Sequence, residues 1–72
     1  MPDPDLANKF THHPPIGNQA GRYMALRSLG FQLAKAIDED VPDSDEKTLA
    51  IACVRQAVMW ANAGIACNEV VT

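Results

Sequence analysis

The chain lacks most of what would announce a chemistry. It has two cysteines in 72 residues, Cys53 and Cys67, and neither sits in a CxxC pair or a Cys/His spacing of the kind that holds zinc. It has no glycine-rich phosphate loop, no nucleophile elbow and no paired carboxylates set for acid–base work. The chain is therefore not expected to be an enzyme, and neither a metal nor a cofactor is expected. No apolar run approaches the roughly 20 residues of a membrane span. The start, Met1-Pro2-Asp3-Pro4-Asp5, reads as neither a signal nor a transit peptide. A soluble, intracellular protein with no membrane partner is the expectation. The net charge of −3 argues against a DNA or RNA polymer, because such binding needs several phosphate contacts from a basic face.

A second absence is local. Residues 6–37 contain no acidic side chain, although the chain as a whole is acidic. In that window stand Lys9, Arg22, Arg27, Lys35 and the adjacent His12 and His13. The stretch Phe10-Thr11-His12-His13-Pro14-Pro15 leads into the first helical pattern. An aromatic ring, two imidazoles and two prolines beside a basic helix start point to a small site for something anionic and flat.

Length bounds the rest. A chain of 72 residues forms one small domain, which buries only about 60% of its unfolded surface and usually needs a staple or a partner. The cysteines do not supply one. Cys53 and Cys67 fall on one predicted helix, about 21 Å apart at the α-helical rise, beyond disulfide reach. Free thiols fit a reducing compartment. Self-association is the expected source of stability.

Residues 1–17 hold four of the five prolines and should be extended or irregular, with Leu6, Phe10 and Ile16 as anchors. A helix is predicted over 18–40, with Asn18 as N-cap. Leu26, Gly30, Leu33 and Ile37 share its apolar face, with Tyr23 at the upper end. Val41-Pro42 ends it. Ser44 should cap a second helix over 44–68, with Asp45 and Glu46 in its first turn, where the dipole favours them. Thr48, Arg55, Asn62 and Glu69 recur every seven residues as one polar stripe. Nearly everything else on that helix is apolar, so it must be covered on several sides. Ile51, Val54, Val58, Ala61 and Ile65 fit a coiled-coil seam. The predicted fold is all-α: an antiparallel two-helix hairpin with an extended N-terminal segment, one domain, assembled into a helical homo-oligomer whose core is built from the second helix.

The candidate site residues can also be read blandly. Adjacent His12 and His13 point opposite ways in an extended segment, so they do not form one metal site. They are either loop histidines or a flat surface on which a base stacks. Arg22 and Arg27 have the fork that matches phosphate, and Met24, Arg27, Phe31 and Lys35 fall on one helical stripe, which is otherwise an ordinary solvated face. Tyr23 and Trp60 read as core aromatics. Asn62 and Asn68 either set register in an oligomer core or line a cavity on a symmetry axis. The acidic cluster from Asp38 to Glu46 reads as a solvated turn.

Phe10-Thr11-His12-His13-Pro14-Pro15 together with Val58-Met59-Trp60-Ala61-Asn62-Ala63, and the stretch Ile65-Ala66-Cys67-Asn68-Glu69, resembles the phage anti-CBASS protein 2 family over roughly residues 6–69. A related hairpin domain occurs in anti-Thoeris sponges. The resemblance implies a homohexamer in the cytoplasm of an infected bacterium. It would sequester, without cleaving, cyclic dinucleotides such as cyclic GMP-AMP, and in some members cyclic trinucleotides, so that CBASS-type host defence is not triggered. It places His12 where the family has a base-stacking tyrosine and Arg27 near a phosphate-binding lysine. Phe10, His13, Pro14 and Arg22 would complete the dinucleotide site. Ser28, Cys67 and Asn68 would lie near the trinucleotide pocket. There the family has arginine in place of Cys67, and the loss of that cation puts trinucleotide binding in doubt. The competing reading is a helical oligomeric adaptor with no small ligand. That would explain the apolar second helix but not the acid-free window.

Overall fold

Two long helices form because the chain has only one strong break between residues 19 and 68. The computed structural model describes residues 2–69. Its elements are α1 (Leu6–Lys9), α2 (Gln19–Asp40) and α3 (Asp45–Asn68). The break is Val41-Pro42. Val41 is extended (φ −103°, ψ 130°), as a residue before proline prefers. Ser44 then caps α3, its Oγ accepting from Lys47 N at 3.1 Å. The two cysteines are free thiols, as their spacing requires.

The N-terminal segment departs from the expected extended run. Leu6–Lys9 forms one helical turn. Asp3 starts it by accepting from Asp5 N at 2.9 Å and holding Lys9 Nζ at 2.5 Å. The signal was in the sequence: an Asp followed by Pro is a standard way to open a helical turn. Asn18 also differs from its expected role. It occupies the N-cap position, but its side chain makes no capping bond. The chain instead turns at Gly17 (φ 56°), a left-handed conformation that glycine adopts without strain. Gln19 Oε1 then accepts from Ile16 N at 3.1 Å.

α2 and α3 pack as a hairpin. On α2 the half-buried positions, besides Arg22, are Tyr23, Leu26, Gly30, Ala34 and Ile37. Leu33, expected on this face, is 55% exposed. On α3 they include Ile51, Val54, Val58, Asn62 and Ile65, while Ala61 is exposed. Both corrections have one cause. At about 3.6 residues per turn, the residue four on from Gly30 or Val58 stands about 40° round the helix and the residue three on about 60°. Ala34 and Asn62 therefore lie nearer the contact line than Leu33 and Ala61. The α3 seam, expected to build the oligomer core, faces α2 of its own chain. Trp60, expected in a core, is 72% exposed.

A hairpin one helix thick cannot enclose a core. The molecule measures 47 × 34 × 13 Å, and a helix with its side chains is about 10–12 Å across. Among the described residues no apolar side chain is fully buried, and Gln19, at 4% exposure, is the only buried residue. The radius of gyration is 15.5 Å, against about 11 Å for a compact domain of this length. The accessible surface is 5876 Å², roughly 1,500 Å² more than a folded monomer of this mass should expose. α3 is also, by length and composition, apolar enough to cross a membrane. The expectation that no segment reaches that threshold is therefore corrected; the helix passes it because Arg55 is the only charged residue between Thr48 and Asn68.

The helices pack closely at Gly30. A Cβ there would stand 2.5 Å from Val58 Cγ2 and 3.7 Å from Val54 Cγ1. Val58 is β-branched and stiff in a helix, so it cannot swing aside. Gly30→Ala gains about 1 kcal/mol of helix propensity but incurs an overpacking cost of about 1–3 kcal/mol. We expect a net loss of stability in urea unfolding. The same substitution in a Val58→Ala background should be neutral or stabilising.

The far end is held by polar groups. Asn8 Nδ2 donates to the Cys67 carbonyl at 2.9 Å, and Gln19 Nε2 donates to Glu69 Oε1 at 2.8 Å. Arg22 pairs with the same carboxylate oxygen. The Arg22 hydrogen bond, helped by Gln19, lowers the Glu69 pKa below the usual glutamate value. A carboxylate with a depressed folded-state pKa adds stability above its unfolded value of 4.5 and loses it as pH falls through the folded value. Thermal unfolding of wild type and Glu69→Gln should therefore differ at pH 7 and converge in acid below that value.

Candidate functional site

The cations of the hairpin divide into paired and unpaired groups. Lys9 pairs with Asp3, Arg22 with Glu69, and Lys47 with both Asp38 and Asp43. The acidic turn is thus partly tied by Lys47, which sits 3.2 Å from Asp38 Oδ1 and 3.1 Å from Asp43 Oδ1. Arg27, Lys35 and Arg55 have no acidic partner among the described residues. The sequence explains why. All carboxylates lie in the N-terminal segment, at the hairpin tip or at Glu69; residues 47–68 are as free of acid as 6–37. The body of the hairpin therefore presents cations, neutral polar groups and apolar groups, but no anion.

Two grooves run along it. The first, about 380 Å³, lies between the long helices and is lined by Arg27, Gly30, Phe31, Ala34, Ile51, Val54, Arg55, Val58 and Met59. Arg27 and Phe31 are one helical turn apart on α2, as are Arg55 and Met59 on α3, so each wall carries one guanidinium and one soft apolar group. The second groove, about 530 Å³, lies between the N-terminal segment and the C-terminal half of α3. It is lined by Asp5, Asn8, Lys9, Phe10, Trp60, Ala63, Gly64, Cys67 and Asn68. Phe10 is 85% exposed there.

The candidate residues distribute unevenly over these surfaces. His12 is exposed and has no hydrogen-bond partner among the described residues. His13 is half-buried, its Nε2 2.9 Å from the Asn8 carbonyl, to which it donates in the Nε2-protonated tautomer. The two rings thus have different roles: His13 braces the segment and His12 stays open. Pro14 and Pro15 are exposed. Arg22, expected as a free phosphate clamp, is engaged by Glu69, while its Nε is buried without a partner. Arg27 lines the first groove and Phe10 the second, so one chain does not bring them together. Ser28, near the middle of α2, borders neither groove, while Cys67 lies at the end of the hairpin away from the tip. Cys67 and Asn68 line the second groove, where Asn68 Nδ2 donates to the Gly64 carbonyl at 2.9 Å. Asn62 Oδ1 and the Tyr23 hydroxyl are buried without hydrogen-bond partners. Among the described residues no three His, Cys, Asp or Glu side chains gather as a metal site.

Two features of the site were not anticipated. Arg55, one member of the polar stripe, faces the same groove as Arg27. Trp60, expected in the core, lines the groove that holds Phe10. The stripe of Thr48, Arg55 and Asn62 was visible in the sequence; which neighbour it would meet depended on helix pairing.

Comparison with known proteins gives one result. Searches among curated proteins and among solved structures returned no match. The profile of the family described as "Acb2/Tad1, hairpin domain" matches residues 2–66, which takes in α1, all of α2 and all but the last two residues of α3. The chain belongs to the Acb2/Tad1 hairpin-domain family.

Proposed function

We propose that the protein is a phage-encoded sponge that binds cyclic dinucleotides non-covalently in the cytoplasm of the infected bacterium and so blocks CBASS-type defence. The observation that carries this reading is the family match over residues 2–66; the acid-free body of the hairpin supports it. An anion gains from Arg27 with no carboxylate competing nearby, and a flat base finds an open imidazole at His12. Phe10 and Pro14 form a rim whose prolines limit the entropy lost on binding. His13 acts on that rim indirectly, by bracing the segment on Asn8, and Arg22 ties the start of α2 to Glu69 behind it.

Phe10 and Arg27 border different grooves of one chain, so a pocket using both takes its rim from one copy and its cationic wall from another. The excess exposed surface supports the same conclusion, because roughly 1,500 Å² on one chain is about twice the roughly 800 Å² that each partner buries in a standard interface. We assign the assembly as a homohexamer on the family resemblance. Binding would act by mass action, lowering the free signal below its receptor's threshold. A trinucleotide pocket at Ser28, Cys67 and Asn68 would need several copies to converge, and Cys67 offers it no cation.

Titration calorimetry with a panel of cyclic di- and trinucleotides, followed by denaturation and analysis of the released nucleotide, tests the function. Tight dinucleotide binding with intact ligand recovered is the expected result. Cleaved ligand would make the protein an enzyme, and no binding across the panel would leave an adaptor. The assembly makes its own prediction: the thermal midpoint should rise with protein concentration, as it does when folding and association are coupled.

A further inference from the structure

We propose that Arg55 is a second phosphate-binding residue, which sets the ligand requirement of the inter-helix groove as two phosphates on one compact body. This rests on the cyclic-dinucleotide reading above and deepens it. Arg27 and Arg55 enter the same groove from opposite helices. Neither has an acidic partner among the described residues, and every acid of the chain lies outside the stretch of the helices that bears them.

The register of the hairpin places the two charges apart. Gly30 meets Val54 and Val58, so in an antiparallel pair Arg27 lies across from Met59 and Phe31 lies across from Arg55. Each guanidinium thus faces an apolar group rather than the other guanidinium. The two are offset by about one helical turn, roughly 6 Å along the axis. That diagonal leaves mutual repulsion small while the groove is empty. It matches a ligand whose two anions stand on opposite edges of a ring, with Phe31 and Met59 free to touch its flat or apolar parts. Gly30 deepens the floor between them.

The opposing explanation is that the Arg55 stem merely covers apolar surface while its charge sits in water. Charge and stem can be separated. Arg55→Gln removes the charge and keeps much of the stem; Arg55→Lys keeps the charge and loses the fork. With the cyclic di-AMP, cyclic di-GMP and cyclic GMP-AMP that wild type binds, Arg55→Gln should raise Kd roughly ten- to a hundredfold, the scale of one charge-assisted hydrogen bond. Arg27→Gln should do the same, and Arg55→Lys should recover much of the loss. Light scattering should show an unchanged assembly in each variant.

If wild type binds none of the three, the function reading fails and this assignment fails with it. If wild type binds and Arg55→Gln binds equally well, only the Arg55 assignment is overturned. If Arg55→Gln dissociates the assembly, Arg55 belongs to a contact between copies and the assignment is likewise overturned.

Discussion

The approach of α2 to α3 at Gly30 is the contact on which the rest depends. A single missing Cβ lets the helices close onto Val54 and Val58, and that closure fixes the hairpin register. Register in turn decides which side chains share a groove. Arg27 and Arg55 become neighbours only because residue 30 sits against residues 54 and 58. A slip of one turn would pair Arg27 with a different part of α3 and dissolve the diagonal arrangement of charge and apolar groups.

The same contact exposes the limit of the chain. A helix pair has one shared face, and here that face is consumed within the hairpin. Leu6, Phe10, Met24, Leu29, Phe31, Leu49, Met59 and Trp60 all stay more than half exposed. Such a surface is costly in water when no apolar side chain among the described residues is fully buried. Function and stability thus make the same demand, since the copies that would cover this surface would also bring a Phe10 rim to an Arg27 wall.

Polar groups divide the work between ends. At the tip, Ser44 and Lys47 order the turn. At the other end, Asn8, Gln19, Arg22 and Glu69 tie the N-terminal segment and the start of α2 to the end of α3. Arg22 and Arg27 are close in sequence and of one residue type, yet their surroundings separate them: one is neutralised by the single acid at the end of α3, the other faces a stretch with none.

By itself the sequence determined the local features: two long helices, their break at Val41-Pro42, the Ser44 cap, the free cysteines, the acid-free window and the family. Each depends on short-range backbone preference or on composition, which a linear reading captures. The Asp3-Pro4 helical turn belonged to that class and was legible, though it was outweighed by the prolines around it. Only the tertiary structure decided that Ala34 replaces Leu33 on the inner face, that the α3 seam is spent on α2, that Arg22 is neutralised and that Arg55 joins Arg27. The physical reason is common to all four. Which of two neighbouring residues turns inward depends on its angle about the helix, and pairings across dozens of residues depend on how the two helices meet, which Gly30 sets.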